Sequence, residues 1–291
     1  MSTFELHNDP VLFREAVSFT AAQTKFLPRL IEKDYFCSRL LEYLLPIKSL
    51  VFKEGTCLAK AHANFYRLSE DLDFTIPVDL DSTRGGRHKA IEPVKETCKG
   101  LPDQLPEFKF GKPLKGANGS TQYIATLEYK SLIASNSETI KLEISLREPL
   151  LQEAVLLDTQ TILLNPTDNR RYFPPFRFPH ITKKEAYSEK FRAAITRRDP
   201  AIRDYFDIDY AISHLDLDPT GTDLIQLVRR KIAVPGNKMP DDFANHKEIL
   251  EKQLETELKP VLRSDDYEKF DLDRAFDFVS KMHERILKAP S

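Results

Sequence analysis

Hydrophobic periodicity changes twice along this chain, and that double change limits it to a sheet-containing body followed by a helical end. From Val11 to Leu45 apolar side chains recur at three- and four-residue steps through Leu27, Leu30, Ile31, Tyr35, Leu40, Leu41 and Leu44. One or two helices are expected there, with Pro28 at a break and Pro46 at the end. A shorter period follows. Leu50-Val51-Phe52 reads as a strand, Gly55-Thr56 as a turn, and the next ten or so residues as a helix whose N-terminus faces whatever the turn binds. Asp71 to Ile76 alternates, with Leu72, Phe74 and Ile76 on one face and Asp71, Asp73 and Thr75 on the other.

Residues 81–91 read as a polar, Gly-containing loop leading into a helix around Pro93 to Lys99. Further strands are expected at Phe108–Phe110, Gln122–Tyr129 and Thr139–Leu146. Asn169 to His180 is a Pro/aromatic connector, and the domain boundary is placed at its end, giving domains of 1–180 and 181–291. Beyond it, helical spacing returns in long patterns such as Phe243–Leu262 and Leu272–Leu287, as in a bundle. The fold class is therefore α+β with a helical C-terminal domain.

Composition narrows the function. Hydrophobic residues at 41% and charged residues at 30% suit a folded soluble protein. A net charge of −2 leaves no global field for polyanions, so a nucleic acid would have to be held by local clusters: Arg84–Lys89, Arg170 with Arg171, Lys183–Arg198 and Arg229–Lys231. Each is also what solvated surface charge looks like. The first ten residues carry two acids and no apolar run, so no secretory signal or membrane span is expected, and the protein is placed in the cytoplasm. Cys37, Cys57 and Cys98 lack C-x-x-C spacing, so reduced, inert thiols are expected rather than disulfides or zinc.

The chemistry concentrates in Arg67-Leu68-Ser69-Glu70-Asp71-Leu72-Asp73-Phe74. Carboxylates two residues apart on a strand point to the same side, roughly 6–7 Å apart at the backbone. Phosphoryl transfer uses such a pair, because Mg²⁺ takes carboxylates together with substrate phosphates as ligands. Alone, Asp-x-Asp is more often a solvated strand face. The preceding strand-turn-helix unit around Gly55 strengthens the reading, since backbone N–H groups at such a turn cradle phosphate.

Gly55-Thr56 followed by Arg67-x-Ser69-x-Asp71-x-Asp73 resembles the AbiEii family of nucleotidyltransferase toxins, which includes the MenT toxins and belongs to the polymerase-β-like superfamily. Ile31-Glu32-Lys33-Asp34-Tyr35 resembles the family's N-terminal helix, and Ile140-Lys141-Leu142-Glu143-Ile144-Ser145 the strand bearing its third acidic position. Lys190-x-x-Ala193, Arg197 and Arg203-Asp204-x-x-Asp207 resemble its Lys-x-x-Ala, Arg, Arg-Asp-x-x-Asp signature. The resemblance implies a nucleotidyltransferase domain with a mixed, mainly antiparallel sheet flanked by helices, and a helical domain completing the active site. It implies transfer of a nucleoside monophosphate from NTP to an acceptor hydroxyl, with a tRNA 3′ end as acceptor. The protein would be a monomeric toxin acting in phage defence, paired with an AbiEi-like antitoxin encoded nearby.

By that resemblance Asp71, Asp73, Lys190 and Asp204 would be catalytic. Gly55, Thr56, Ser69, Lys190, Arg197 and Asp207 would bind nucleotide, and Asp71, Asp73 and Glu143 would hold Mg²⁺ or Mn²⁺, with Glu143 a general base or third metal ligand. Read from the residues alone, Lys190 and Arg197 share a helical face and Asp204 and Asp207 line another, which also describes an interhelical salt-bridge network. As a site cation, Lys190 is expected to matter for ligand rather than for stability. A metal-dependent phosphohydrolase and a catalytically weak nucleotide-binding module remain alternatives. One residue departs from the family's pattern: the family usually has two glycines where this chain has Glu54-Gly55. The Glu54 side chain is expected to point outward, leaving the turn to its backbone N–H groups; pairing with Lys53 or joining the metal site are the alternatives.

Overall fold

Asp9 starts the first helix by accepting the N–H groups of Val11 and Leu12, with Pro10 in the first turn. Helix α1 (Pro10–Thr24) ends where Lys25 adopts a left-handed φ of 64°. Pro28 then opens helix α2 (Pro28–Leu44), so the proline marks a start rather than a kink. The computed structural model describes residues 5–240 and 243–288. Residues 1–4, part of the stretch read as lacking a secretory signal, lie outside them. The described residues form two compact units divided between Ile181 and Thr182.

Every residue of α2 from Leu30 to Leu41 is buried, charged ones included. Burial of charge without partners would cost several kcal/mol per group, and each charge here has one. Glu32 accepts from Ser131 Oγ and the Leu132 N–H, both at 2.7 Å. Lys33 meets Glu70 at 2.7 Å and Glu138 at 3.3 Å, and Arg29 joins the same two acids. Against the cost of burial, hydrogen bonds from Arg29 and Lys33 hold the Glu70 carboxyl down at about 2. Asp34 accepts from Lys60 Nζ, from Thr161 Oγ1 and from the Ile162 N–H, the last two at 2.8 Å.

The sheet follows. Strand β1 (Val51–Lys53) runs into helix α3 (Glu54–Cys57) and a π-helical turn, Leu58–His62. Strand β2 (Leu72–Thr75), helix α4 (Arg84–Gln104) and strands β3 (Phe108–Ala117), β4 (Gln122–Lys130), β5 (Ser137–Ser145), β6 (Val155–Thr159) and β7 (Phe176–His180) complete the unit. The order is β3-β4-β5-β2-β1-β7-β6. β2 pairs with β5, and β1 with β7, in parallel; the other pairings are antiparallel. The sheet is thus mixed and mainly antiparallel. On β5, Ile140, Leu142 and Ile144 are buried while Lys141 and Glu143 stay partly exposed, so one face is core and the other carries charge.

Three elements differ from expectation. The supposed loop at 81–91 is mostly the first turns of α4, because Thr83 caps the helix by accepting the Gly86 N–H and Ile91, Val94, Cys98 and Leu101 bury one face. The end of the connector is β7, whose Phe178 packs against Phe52 and Phe74. β6, its antiparallel partner, was not expected at all.

The second unit is helical throughout its described residues: α5 (Lys183–Thr196), α6 (Ile202–His214), α7 (Thr222–Ile232), α8 (His246–Gln253), α9 (Ser264–Lys269) and α10 (Leu272–Lys288), with short 3₁₀ and π turns breaking Phe243–Leu262. Lys231 of α7 meets Glu185 and Glu189 of α5, each at 2.8 Å, and Arg274 of α10 forks onto Asp209 of α6. Lys231 belongs to the last of the basic clusters and is core, not surface. The three thiols are free and buried, and burial pushes Cys98 up to about 11. No helix among the described residues is long and apolar enough to cross a membrane.

Replacing Asp34 with Ala leaves the buried Lys60 ammonium without its carboxylate. A loss of about 3–5 kcal/mol in urea unfolding is expected, and the double change Asp34→Asn with Lys60→Met should recover much of it. A loss below about 1 kcal/mol for Asp34→Ala would show that the pair does not hold this region together.

Candidate active site on the central strands

The site begins where β1 ends. Glu54 has a φ of 62°, a left-handed conformation that glycine adopts without cost and glutamate does not. Gly55 follows in a tight place: a Cβ there would lie 2.5 Å from Arg67 Nη2 and 3.1 Å from Ser69 Oγ, so a larger residue would require those side chains to shift. The buried Arg67 and the half-buried Ser69 therefore press directly on the turn. The Thr56 hydroxyl donates to the carbonyl of Asp71, which ties the turn to the carboxylate segment. That hydroxyl serves as a positioning contact rather than as a free nucleotide donor.

Asp71 lies one residue before β2, and its Oδ1 accepts the Lys141 N–H of β5 at 3.2 Å. Asp73 lies within β2, in register with Lys53 on one neighbouring strand and Glu143 on the other. Glu143 in turn accepts from the Gln122 side-chain amide and meets Lys141 Nζ at 2.5 Å. Lys141 and Gln122 are not singled out from the sequence, and Lys53 is considered there only as a partner for Glu54. Only strand register brings them to the pair, and register is invisible in a single chain read linearly.

Crowding shows in the electrostatics. Burial first, then the charges of Glu54, Glu143 and Asp71, push the Asp73 carboxyl up to about 7, with Lys53 acting the other way. The outward orientation expected for Glu54 is overturned. Its carboxylate is largely shielded, sits 3.6 Å from Lys53 Nζ, and is the strongest neighbouring charge on Asp73. Lys141 gains from the same crowd: burial disfavours its charge, but the Glu143 contact, then Asp73 and Asp71, raise its pKa.

An all-oxygen donor set with surplus negative charge suits a hard divalent cation. Among the described residues no group of three or more His, Cys, Asp and Glu forms a ready metal site. Mg²⁺ takes one or two carboxylates together with the phosphates of a substrate. Asp71 and Asp73 are the pair that fits. Glu143, expected as a general base or third metal ligand, is brought alongside and here contacts Gln122 and Lys141.

In the helical unit, Lys190 Nζ lies 2.7 Å from Asp204 and 3.0 Å from Asp207, while Arg197 holds the other Asp204 oxygen at 2.6 Å. Lys190, Asp204 and Asp207 are almost wholly buried. These four residues are brought together as the resemblance implied, but as an ion-pair network between α5 and α6. That burial weighs against the expectation that Lys190 matters little for stability, because a buried carboxylate left without its cation is costly.

Residues 40–281 match the family described as "Nucleotidyl transferase AbiEii toxin, Type IV TA system". The match spans the turn, the aspartate pair, β5, α5 and α6, and starts beyond the Ile31–Tyr35 run. Among solved structures, JHP933 from Helicobacter pylori is 17% identical, covering 88% of this chain and 93% of its own, with a TM-score of 0.48. A protein from H. pylori provisionally named a nucleotidyltransferase is 17% identical over 86% of this chain and 93% of its own, with a TM-score of 0.46. No curated protein matches the chain.

Two outcomes are expected. The raised Asp73 pKa means the folded state holds that proton more tightly than the unfolded one. Its stabilising contribution is therefore present below the ordinary carboxylate range and lost as pH rises toward about 7. Glu54→Gly removes both the strained φ and the strongest neighbouring charge, so it should raise the metal-free melting temperature, and more at pH 8 than at pH 5. Equal or opposite shifts at the two pH values would show that Glu54 does not act on Asp73. Lys190→Ala should cost about 3–5 kcal/mol in denaturant unfolding by leaving two buried carboxylates short of a cation. Wild-type stability together with lost NTP binding would instead return Lys190 to a ligand role.

Proposed function

The chain belongs to the AbiEii nucleotidyltransferase toxin family of type IV toxin–antitoxin systems, and on that footing we propose that its sheet-face carboxylates serve the transfer of a nucleoside monophosphate from NTP to the 3′-terminal hydroxyl of a tRNA. The acceptor oxygen bonds to the α-phosphorus, the bond to the β-phosphate oxygen breaks, and pyrophosphate leaves. The observation that carries this reading is the pinned aspartate pair: Asp71, held by the Lys141 N–H and the Thr56 hydroxyl, and Asp73, between Lys53 and Glu143, lie beside the Gly55 turn.

Asp71 and Asp73 would hold Mg²⁺, or Mn²⁺ in its place, which supplies charge neutralisation at the phosphates. Backbone N–H groups at Gly55 and Thr56 receive the phosphate tail, and Ser69, against Gly55, adds a hydroxyl at the same place. Gln122 and Lys141 hold Glu143 at the edge of the pair, where it shapes the local charge rather than coordinating. Family membership implies an antitoxin partner, which we take to be AbiEi-like, and we place the protein as a cytoplasmic monomer.

Purified protein incubated with total tRNA, Mg²⁺ and each labelled NTP in turn should label tRNA with at least one of them. Asp71→Asn and Asp73→Asn should each lower that labelling to under about a tenth while leaving the fold intact, because an amide holds Mg²⁺ poorly. Labelling of another RNA class or of protein would replace the acceptor, and substantial transfer by either variant would sink the metal assignment.

A further inference from the structure

The charged sheet face carries a partly exposed cation, Lys141, to whose ammonium the roles above assign only a contact with Glu143. Lys141 stands two residues before Glu143 on β5, so both side chains leave the same side of the sheet. Its backbone N–H holds Asp71, its ammonium lies 2.5 Å from Glu143 Oε2, and 43% of its side chain remains exposed. One residue thus touches the first aspartate of the pair through its main chain and, through its side chain, the acid in register with the second.

Charge balance indicates what this lysine does. Four acids (Glu54, Asp71, Asp73 and Glu143) against two lysines (Lys53 and Lys141) leave a formal −2 on this face. A divalent cation on the aspartates cancels that excess and brings four or so new negative charges on the triphosphate within reach. The ion pair with Glu143 is partly solvated and so weakly held. The lysine stem has four carbons and rotatable donors, so the ammonium can change partners without backbone movement.

We propose that Lys141 is the triphosphate-gripping cation of this face, resting on Glu143 in the free protein and transferring its ammonium to a phosphate oxygen when nucleotide binds with its metal. This inference rests on the nucleotidyltransferase reading and names a ligand contact within it. No bond to phosphorus changes in the exchange; Glu143 loses an ion pair and the triphosphate gains one.

The test measures two affinities on the full chain. Mn²⁺ alone is titrated by electron paramagnetic resonance, and NTP analogues with a non-transferable α,β linkage are titrated by calorimetry at saturating Mn²⁺. In Lys141→Met, Mn²⁺ should bind at least as tightly as in the wild type, since a competing cation is gone, while the preferred analogue binds about tenfold more weakly. Lys141→Arg should restore most of the nucleotide affinity, and Glu143→Gln, which removes the resting partner, should tighten nucleotide binding severalfold. Loss of Mn²⁺ and nucleotide affinity together in Lys141→Met would show a purely structural lysine and overturn the proposal. So would nucleotide affinity within about twofold of wild type. Should Lys141→Met not fold, the absence of any gain in Glu143→Gln is the overturning result. Wild-type protein that binds Mn²⁺ but none of the four analogues would overturn the nucleotidyltransferase reading itself, and this inference with it.

Discussion

The buried carboxylate of Asp34 carries the placement of everything around the candidate site. It receives Lys60 from the π-helical turn, and Thr161 and the Ile162 N–H from the segment after β6, so one side chain ties two stretches of chain to helix α2. In a low-dielectric interior such a group is strongly stabilising only while every partner is present, and costly once one is missing. Lys60 follows the Glu54–Cys57 turn by only a few residues. Anchoring it also anchors the turn whose backbone faces the aspartates. The family-like run Glu32-Lys33-Asp34 thus acts in this fold as scaffold: three successive charges point in three directions, and each closes a different contact.

Against that rigid base the site itself is held in an electrostatically unfavourable state. Asp71, Asp73, Glu143 and Glu54 converge where two lysines are the nearby counter-ions, and Asp73 answers by holding its proton up to about 7. Crowded like charges that destabilise the empty protein become an advantage once a divalent cation and a polyanion are bound. Glu54 deepens the imbalance and adds a left-handed backbone, so the residue that departs from the pattern the sequence resembles is also the strongest neighbouring charge on Asp73.

The helical unit follows a different logic. Lys190 and Arg197 share a face of α5 and its end, as their spacing requires, but spacing alone does not say what lies opposite. The opposing residues are Asp204 and Asp207 of α6, close enough to make a buried network, just as Lys231 does with Glu185 and Glu189 between α7 and α5. Lys190 and Lys231, which could be read as solvated surface charge, lie instead in the polar interior of the helical unit.

Local sequence determined the elements whose signals are local. Asp9-Pro10 and Pro28 set helix starts, alternation around Asp73 and Glu143 marked strands with one charged face, and the Gly55 turn preceded the aspartate pair as its chemistry requires. Family motifs are legible for the same reason: their spacing is a property of the chain. Tertiary structure alone decided the rest. β6 and β7 are short and carry prolines or few alternating residues, so only pairing with each other, and of β7 with β1, makes them strands. The inward turn of Glu54, the recruitment of Lys53, Lys141 and Gln122, and the burial of Lys190 all depend on neighbours distant in sequence. Register and packing set which charges face one another, and no linear spacing carries that information.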